Sequence, residues 1–252
     1  MNENQSAGTI SVTQHRFFQD GSPGPEDDKT LYPLSLGLLT ARGMDELATL
    51  YYRTLDIVVP FDFYKLNADH IGVFRVSYPP ERLKNLGQNA KSGLLSPKDR
   101  IGMISDALAT ASSGHLNTRT SDVLSLLEQF KDESSFYVWK QILATISSIE
   151  REFRFESSHI LIPLKAFKTR LVTTKLKGKG WKFNKGDDIL DQSFKALLFA
   201  NGSEDADVQR AAKSLFESLV AGDENSININ ILDAVFAIVL EHGGTKEVGH
   251  LD

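Results

Sequence analysis

The sequence contains no cysteine. This absence excludes disulfide bonds, thiolate metal sites and cysteine nucleophiles, and it fits a reducing compartment. No apolar run approaches the roughly 18 residues that a membrane helix needs. The N-terminus has neither the basic nor the apolar region of a secretory signal. We therefore expect a cytoplasmic protein without a membrane partner.

The common motifs of catalysis and metal binding are also missing. The sequence has no GxSxG, SxxK or P-loop pattern, and its KGKGW segment resembles a phosphate loop only superficially, because no strand precedes it. The histidines, none of which stands in an HExxH pattern, are His15, His70, His115, His159, His242 and His250. The residues by themselves assign no catalytic residue, no metal ligand and no bound cofactor. They predict a non-catalytic scaffold.

What is present is typical of a globular protein. The 252 residues are 41% hydrophobic and 24% charged, a composition that supports a packed core. The length allows one large domain or two modest ones. The net charge of −5 gives no reason to expect nucleic acid as a partner.

Charge is distributed unevenly along the chain. Residues 187–252 carry thirteen acidic side chains against four basic ones. Residues 157–186 carry no acidic side chain but eight basic ones: Lys165, Lys168, Arg170, Lys175, Lys177, Lys179, Lys182 and Lys185. Such a strip could bind phosphate, but charge runs are usually solvated faces or pair within the molecule. We interpret this strip, partly a KLKGKGW loop, as facing the acidic half of the chain.

The first 80 residues have the pattern of short strands. TISVTQHRFF alternates with period two, and LYPLSLGLLT is a second extended run, broken by Pro33. DELATLYYRTLDIVVP is ambiguous between a helix start and strand formers. Two further strands are predicted over 61–66 and 73–78, joined by a tight NADHIG turn in which Gly72 takes positive φ. The pattern predicts a small β-sandwich.

After Pro79 and Pro80 the pattern becomes helical. Eight amphipathic helices are predicted: from Glu81, from Ser96–Pro97 to Gly114, from Thr118, over Phe136–Phe153, and over 157–175, 188–200, 204–221 and 227–242. This succession predicts an α-helical superhelix of the armadillo or HEAT type. The predicted fold is thus α+β and multidomain, with a β-sandwich region at 1–80 and a helical domain at 81–252.

Several segments carry a resemblance to a known family. FYKLNADHIGVFRVSYPPERL, KDRIGMISDALATASSGHL and SSFYVWKQILATISSI resemble zinc aminopeptidases of the puromycin-sensitive and alanyl aminopeptidase type, most closely the fungal cytosolic members. The positions that match the family pattern are Asn67, Gly72, Phe74, Arg75, Tyr78, Arg100, Asp106, Gly114, Trp139, Gly180 and Trp181. The resemblance implies the family's third, β-sandwich domain followed by its helical C-terminal domain.

The same resemblance identifies what these residues lack. The family's GxMEN and HExxH motifs, with a distal glutamate, lie in a thermolysin-like domain before the sandwich, and neither motif occurs here. Zinc is therefore implied only for full-length relatives. The resemblance implies a truncated, non-catalytic C-terminal portion, which in a full-length relative would enclose the peptide cavity for removal of N-terminal residues.

Three hypotheses for function remain open. The first is a catalytically incompetent relative of a zinc aminopeptidase. The second is a subunit that completes an aminopeptidase in trans with a catalytic-domain chain. The third is a helical-repeat module that binds peptides or proteins. An uncapped helical end also predicts self-association.

The residues named by the resemblance also have structural interpretations. Arg75 could contact a peptide, but we favour a bridge between the sandwich and the first helix. Trp139 and Trp181 are interpreted as core or inter-helix anchors. Arg100 and Asp106 are six positions apart, too far for one helical pair, so separate capping or interhelical bonds are expected.

Overall fold

The computed structural model describes residues 1–45, 48–114, 118–184 and 186–243. Predictions that involve Glu46, His115, Lys185, Gly244 or His250 lie outside these residues. Two compact units divide the chain, Met1–Thr145 and Ile146–Asp252. This boundary falls inside the fourth helix, and the predicted domain division at residue 80 stays a prediction.

Short antiparallel strands occupy the N-terminal part of the first unit, up to Lys65. Their bounds are β1 (Asn2–Asn4), β2 (Thr9–Thr13), β3 (Leu34–Ser35), β4 (Leu38–Thr40), β5 (Gly43–Asp45), β6 (Thr49–Leu50), β7 (Thr54–Val58) and β8 (Tyr64–Lys65). They form three sheets with the orders β1-β2-β7, β3-β6 and β5-β4-β8. The ambiguous segment 45–60 thus forms strands in its described part, as its β-branched and aromatic residues favour.

The alternation in TISVT decides which side of its sheet is buried. Ile10 and Val12 point into the core, and Ile10 pairs with Ile57 of β7. The core beneath the strands draws residues from all three sheets and the loops between them: Ile10, Val12, Leu36, Leu38, Leu50, Val59, Tyr64 and Leu66. A single apolar cluster therefore holds the small sheets together.

The predicted strand over 73–78 is wrong. Its backbone groups bond to side chains instead of to a neighbouring strand: the Phe74 carbonyl accepts from the Asn67 amide, and the Val76 N–H donates to Asp106. The expected positive φ at Gly72 is also wrong, since Asn67, Asp69 and His70 adopt it. Gly72 is needed for space, because a Cβ there would overlap the Phe74 ring.

All eight predicted helices are present. Their bounds are α1 (Pro80–Gln88), α2 (Pro97–Ser112), α3 (Thr120–Gln129), α4 (Phe136–Glu152), α5 (Ser158–Lys179), α6 (Ile189–Ala200), α7 (Ala206–Val220) and α8 (Leu232–His242). The predicted α+β class with a helical C-terminal part is confirmed. Of the part of the chain that the structure describes, no helix is both long and apolar enough to cross a membrane.

Side-chain caps explain several helix starts. Ser96 and Asp99 form a capping box at α2, with Pro97 in the first turn. Asp188 and Asp205 accept backbone N–H bonds at the starts of α6 and α7. The position of Asp188 agrees with the capping role expected of acidic residues at helix starts.

One predicted loop is helical. The KLKGK segment belongs to α5, which ends only at Lys179 because Gly180 takes a φ of 74°. The last helix begins later than predicted, at Leu232, because a 3₁₀ turn over Ile229–Ile231 precedes it.

Helix contacts within each unit are local. In the first unit α3 packs on α1 and α2, and in the second unit α6 packs on α5 and α8 while α7 packs on α8. Phe216 and Phe236 meet edge to face with ring centroids 5.6 Å apart. These contacts bury the apolar faces that the sequence periodicity predicts.

A glycine inside α2 generates the first testable prediction. Gly102 faces His70, and a Cβ at this position would overlap the imidazole ring close to its attachment to the backbone. Gly102→Ala should therefore lower the free energy of unfolding by about 1–3 kcal/mol through overpacking, although alanine is the better helix former. Chemical denaturation measures this change.

Gly178→Ala is the matched control. A Cβ there meets nothing within 4 Å, so the higher helix propensity of alanine should leave stability unchanged or raise it by up to about 1 kcal/mol. Equal effects of the two substitutions would contradict the packing of His70 on Gly102.

Candidate functional site

A buried lysine lies at the centre of a charged network in the first unit. The Lys65 side chain is 2% exposed, and its ammonium lies 2.8 Å from Asp99 Oδ1. It also donates to the carbonyls of Leu66, at 3.0 Å, and Asn67, at 2.6 Å. Burial lowers the pKa of Lys65, and the hydrogen bond to Asp99 opposes that shift. All three N–H donors of this ammonium thus have an acceptor.

Asp99 connects this lysine to two other elements. One oxygen accepts from Lys65 and from the backbone N–H of Asp69, and the other accepts from both the N–H and the hydroxyl of Ser96. A single carboxylate therefore joins β8, the 67–70 turn and the start of α2. This role is structural, because both oxygens of the carboxylate are bonded within the protein.

Arg75 lies beside this network on the loop after the turn. Its Nη1 is 3.2 Å from Asp106 Oδ1 in α2, its guanidinium lies 5.2 Å from the Phe17 ring centroid, and its side chain is 39% exposed. Burial raises the pKa of Asp106, while its hydrogen bond from Val76 and the charge of Arg75 act in the other direction. Arg75 is thus a bridge, but to the second helix and not to the first.

The other residues named by the resemblance have separate roles. Arg100 Nε lies 2.7 Å from Glu133 Oε2, so Arg100 and Asp106 have different partners, as predicted. Trp139 is fully buried and donates its indole N–H to the Glu133 carbonyl at 2.9 Å. The Trp181 ring centroid is 5.4 Å from that of Phe199. Arg100 and Trp139 thus share Glu133 as a partner, while Trp181 packs on α6 in the second unit.

An open groove in the second unit is the best candidate for a binding site. It has a volume of about 430 Å³, within the range of small-ligand sites. Its lining comes from the last turn of α4, the middle of α5, the segment after α6 and the end of α8: Glu150, Leu161, Leu164, Lys165, Lys168, Thr169, Asn201, Ser203, Glu204 and Glu241. Charged side chains therefore surround a partly apolar wall.

Ion pairs cross this groove. Lys165 Nζ is 2.6 Å from Glu204 Oε1, and Lys168 Nζ is 3.4 Å from Glu150 Oε2. The pKa of Lys165 is raised, first by its hydrogen bond to Glu204 and then by the nearby charges of Glu241 and Glu150. Three carboxylates thus act on one ammonium.

Two lysines of the basic strip in residues 157–186 form ion pairs with acidic residues further along the chain. Lys165 and Lys179 pair with Glu204 and Asp191, both of which belong to the acidic half of the sequence. Lys179 also lies over the Phe194 ring, 5.4 Å from its centroid. The predicted self-complementary charge is confirmed for these two lysines.

One cluster in the described part of the chain has metal-ligand chemistry. Glu204, Glu241 and His242 each offer a ligand atom, and these atoms lie within 4.8 Å of one another. His242 ends α8, as predicted from its position before a glycine. The cluster does not fit the family's catalytic zinc: it has one imidazole where HExxH supplies two, and Lys165 already holds Glu204. We therefore assign no catalytic metal to it.

Comparison with known proteins explains this combination of elements. A sequence model described as the ERAP1-like C-terminal domain matches residues 63–251. The chain belongs to this family.

Its similar proteins are aminopeptidases by name. The chain is 38% identical to Aminopeptidase 2 of Candida albicans over 97% of its length, which is 27% of that protein. It is 34% identical to the alanine/arginine aminopeptidase of Saccharomyces cerevisiae over 93% of its length, and 27% identical to glutamyl aminopeptidase of Rattus norvegicus over 95%. The chain spans about a quarter of the length of these relatives. The predicted resemblance to aminopeptidases is confirmed.

Three features of the structure could not be predicted from the sequence. The burial of Lys65 could not be predicted, because a lysine in a short strand normally points to solvent. Arg82 is also buried, with its Nε 2.8 Å from Glu3 Oε1 and its guanidinium 4.1 Å from the Tyr64 ring centroid. The groove could not be found either, because its lining comes from four separate segments.

The buried pair generates the second prediction. Lys65→Met leaves the Asp99 carboxylate buried without its cation, so it should lower the free energy of unfolding by about 3–5 kcal/mol. Adding Asp99→Asn to that variant should cost less than the sum of the single changes, because the unpaired charge is removed. Urea denaturation of the four proteins in this cycle measures the coupling.

Lys91→Met serves as the control for this cycle. It removes an ion pair to Asp132 in which both side chains are more than half exposed, and should cost less than about 1 kcal/mol. A Lys65→Met variant no less stable than Lys91→Met would show that Lys65 is not a structural centre.

Proposed function

We propose that this chain acts as the non-catalytic C-terminal portion of a zinc metallo-aminopeptidase-like protein, in which it encloses the cavity that receives the peptide. The family match over residues 63–251 carries this proposal. It is supported by the aminopeptidase names of the similar proteins.

The chemistry of the residues present supports a shaping role instead of a reacting one. Hydrolysis by this class of enzyme needs a metal that polarises the carbonyl, a glutamate base and carboxylates that hold the substrate's ammonium group. The 252 residues contain neither HExxH nor GxMEN. Zinc therefore belongs, in this proposal, to the rest of a full-length relative.

The finer architecture is part of the same proposal. A shared apolar cluster beneath three sheets supports a β-sandwich, in which facing sheets bury one core. Successive helices that pack on near neighbours within each unit support a superhelix. The cytoplasmic location expected from the sequence also belongs here, and cell fractionation tests it.

Two alternatives remain as proposals of lower rank. The chain could complete an aminopeptidase in trans with a separate catalytic-domain chain. It could also be a helical module that binds peptides, which the open groove in the second unit favours. Recovery of a metalloprotease partner on purification from the native source distinguishes the first alternative from the second.

A chimera tests the main proposal. In the chimera, the matched quarter of Candida albicans Aminopeptidase 2 is exchanged for this chain. In a second, shortened version of that enzyme, the same quarter is deleted. We expect the chimera to retain bound zinc and release of an aminoacyl fluorophore, and the shortened version to lose peptide hydrolysis. The isolated chain should show neither turnover nor stoichiometric zinc, because it lacks the metal motif.

Two outcomes would contradict this proposal. Turnover by the isolated chain with one zinc per chain, found by elemental analysis, would show that it is an enzyme in its own right. A folded, zinc-loaded chimera whose peptide hydrolysis matches that of the shortened version would show that this portion does not shape the cavity.

Exposed apolar residues in the second unit support the predicted self-association. Ile189 at the start of α6 is 81% exposed and Ile229 is 77% exposed. A hydrogen bond between Gln192 and Asn230 joins their two segments. Neighbouring exposed apolar side chains are typical of contact surfaces.

A further prediction concerns the exposed surface around Ile189 and Ile229. Ile189→Lys combined with Ile229→Lys should reduce concentration-dependent association by several-fold, since charges on both copies would repel. Light scattering over a concentration series measures the change. Val58→Lys, on an exposed position of β7 in the first unit, is the control. A wild-type chain that stays monomeric throughout the series would refute self-association.

A further inference from the structure

Three helices end at the groove of the second unit. Glu150 lies in the last turn of α4 and Glu241 in the last turn of α8, while Asn201 is the residue that follows α6. The C-terminal end of a helix carries partial negative charge on its unpaired carbonyl groups. The ends of α4, α6 and α8 therefore bring partial negative charge to the groove, while α7, which begins two residues after Glu204, brings the partial positive charge of a helix start.

The side chains add to that potential. The groove is lined by three carboxylates and two lysines, so one negative charge exceeds the cations that the groove itself supplies. Lys165 and Lys168 each pair with a different glutamate, Glu204 and Glu150. Among the residues that the structure describes, Glu241 pairs with the neighbouring His242, at 3.5 Å. Glu241 is thus the carboxylate with the weakest internal partner.

The carboxylates around Lys165 indicate that the groove suits a cationic group. Its ammonium feels the charges of Glu204, Glu241 and Glu150 together. Yet its side chain is 59% exposed, and ion pairs of exposed side chains contribute little to stability. Lys165 can therefore turn toward solvent at small cost and leave its position to another cation.

The wall of the groove suits a long cationic side chain. Leu161 and Leu164 line it beside the charged residues, and lysine and arginine lay their methylene stems on such apolar surface while the charged end reaches polar partners. A volume of about 430 Å³ is much larger than a single metal ion requires.

We propose that this groove binds a lysine or arginine side chain of a peptide, and that Lys165 occupies the position until the peptide displaces it. Glu204 and Glu241 would then hold the incoming cation, and Leu161 and Leu164 its stem. The inference goes beyond the proposed function, because it needs neither zinc nor a catalytic domain. Its failure would leave the chimera experiment unaffected.

Fluorescence anisotropy on the full chain tests the proposal. The probes are two end-blocked, labelled peptides that differ only in a central lysine or glutamine. We expect the lysine peptide to bind and the glutamine peptide to bind at least several-fold more weakly. Lys165→Met should strengthen binding of the lysine peptide about five-fold, because it removes the competing ammonium and keeps the stem. Glu241→Gln should weaken it by a similar factor.

Glu217→Gln is the matched control, since it makes the same charge change on α7 outside the groove and should leave binding unchanged. Circular dichroism checks that each variant folds, and Lys165→Gln replaces Lys165→Met if the latter does not. Equal binding of the two peptides, or equal effects of Glu241→Gln and Glu217→Gln, would overturn the proposal. So would calorimetric binding of zinc that is lost in His242→Ala, with no binding of the lysine peptide.

Discussion

The ion pair between Lys65 and Asp99 is the interaction on which the arrangement of the first unit depends. Two charges almost wholly removed from water are stable only if each finds full compensation. Asp99 provides this compensation while also capping α2 and holding the backbone of the 67–70 turn. That turn contains three non-glycine residues with positive φ, an unfavourable backbone that persists because its surroundings determine it. The helix start, the turn and the strand are therefore linked through one carboxylate.

The charged groups in the groove of the second unit differ from this buried pair in their exposure to solvent. Its charged groups are partly or largely exposed, so each ion pair is weak and exchangeable. A buried pair with every acceptor used positions the backbone and has no capacity left for a ligand. An excess of partly exposed carboxylates, at the ends of α4 and α8 and just before α7, retains such capacity, because water, a lysine of the chain or an external cation can occupy it at similar cost. We therefore assign a structural role to the buried pair of Lys65 and Asp99, and a binding role to the exposed charges of the groove.

Family membership and local chemistry lead to a consistent interpretation. The chain matches a C-terminal domain family and a quarter of the length of the aminopeptidases that it resembles. Arg75, Asp106, Trp139 and Arg100, which carry the sequence resemblance, serve as bridges and anchors. Residues that identify a family by sequence can therefore be those that position its elements.

The eight helices and the central strand β2 could be predicted from the sequence, because apolar periodicity and caps such as Ser96 and Asp99 act over a few residues. The sequence alone also determined the absence of the zinc motif and the resemblance to aminopeptidases. The tertiary structure alone decided that residues 73–78 do not form a strand, that Lys65 is buried, and that Glu150, Lys165, Glu204 and Glu241 meet in one groove. The physical reason is that each of these outcomes depends on partners distant in the sequence, and local pattern carries no information about which distant groups will satisfy a backbone bond or a charge.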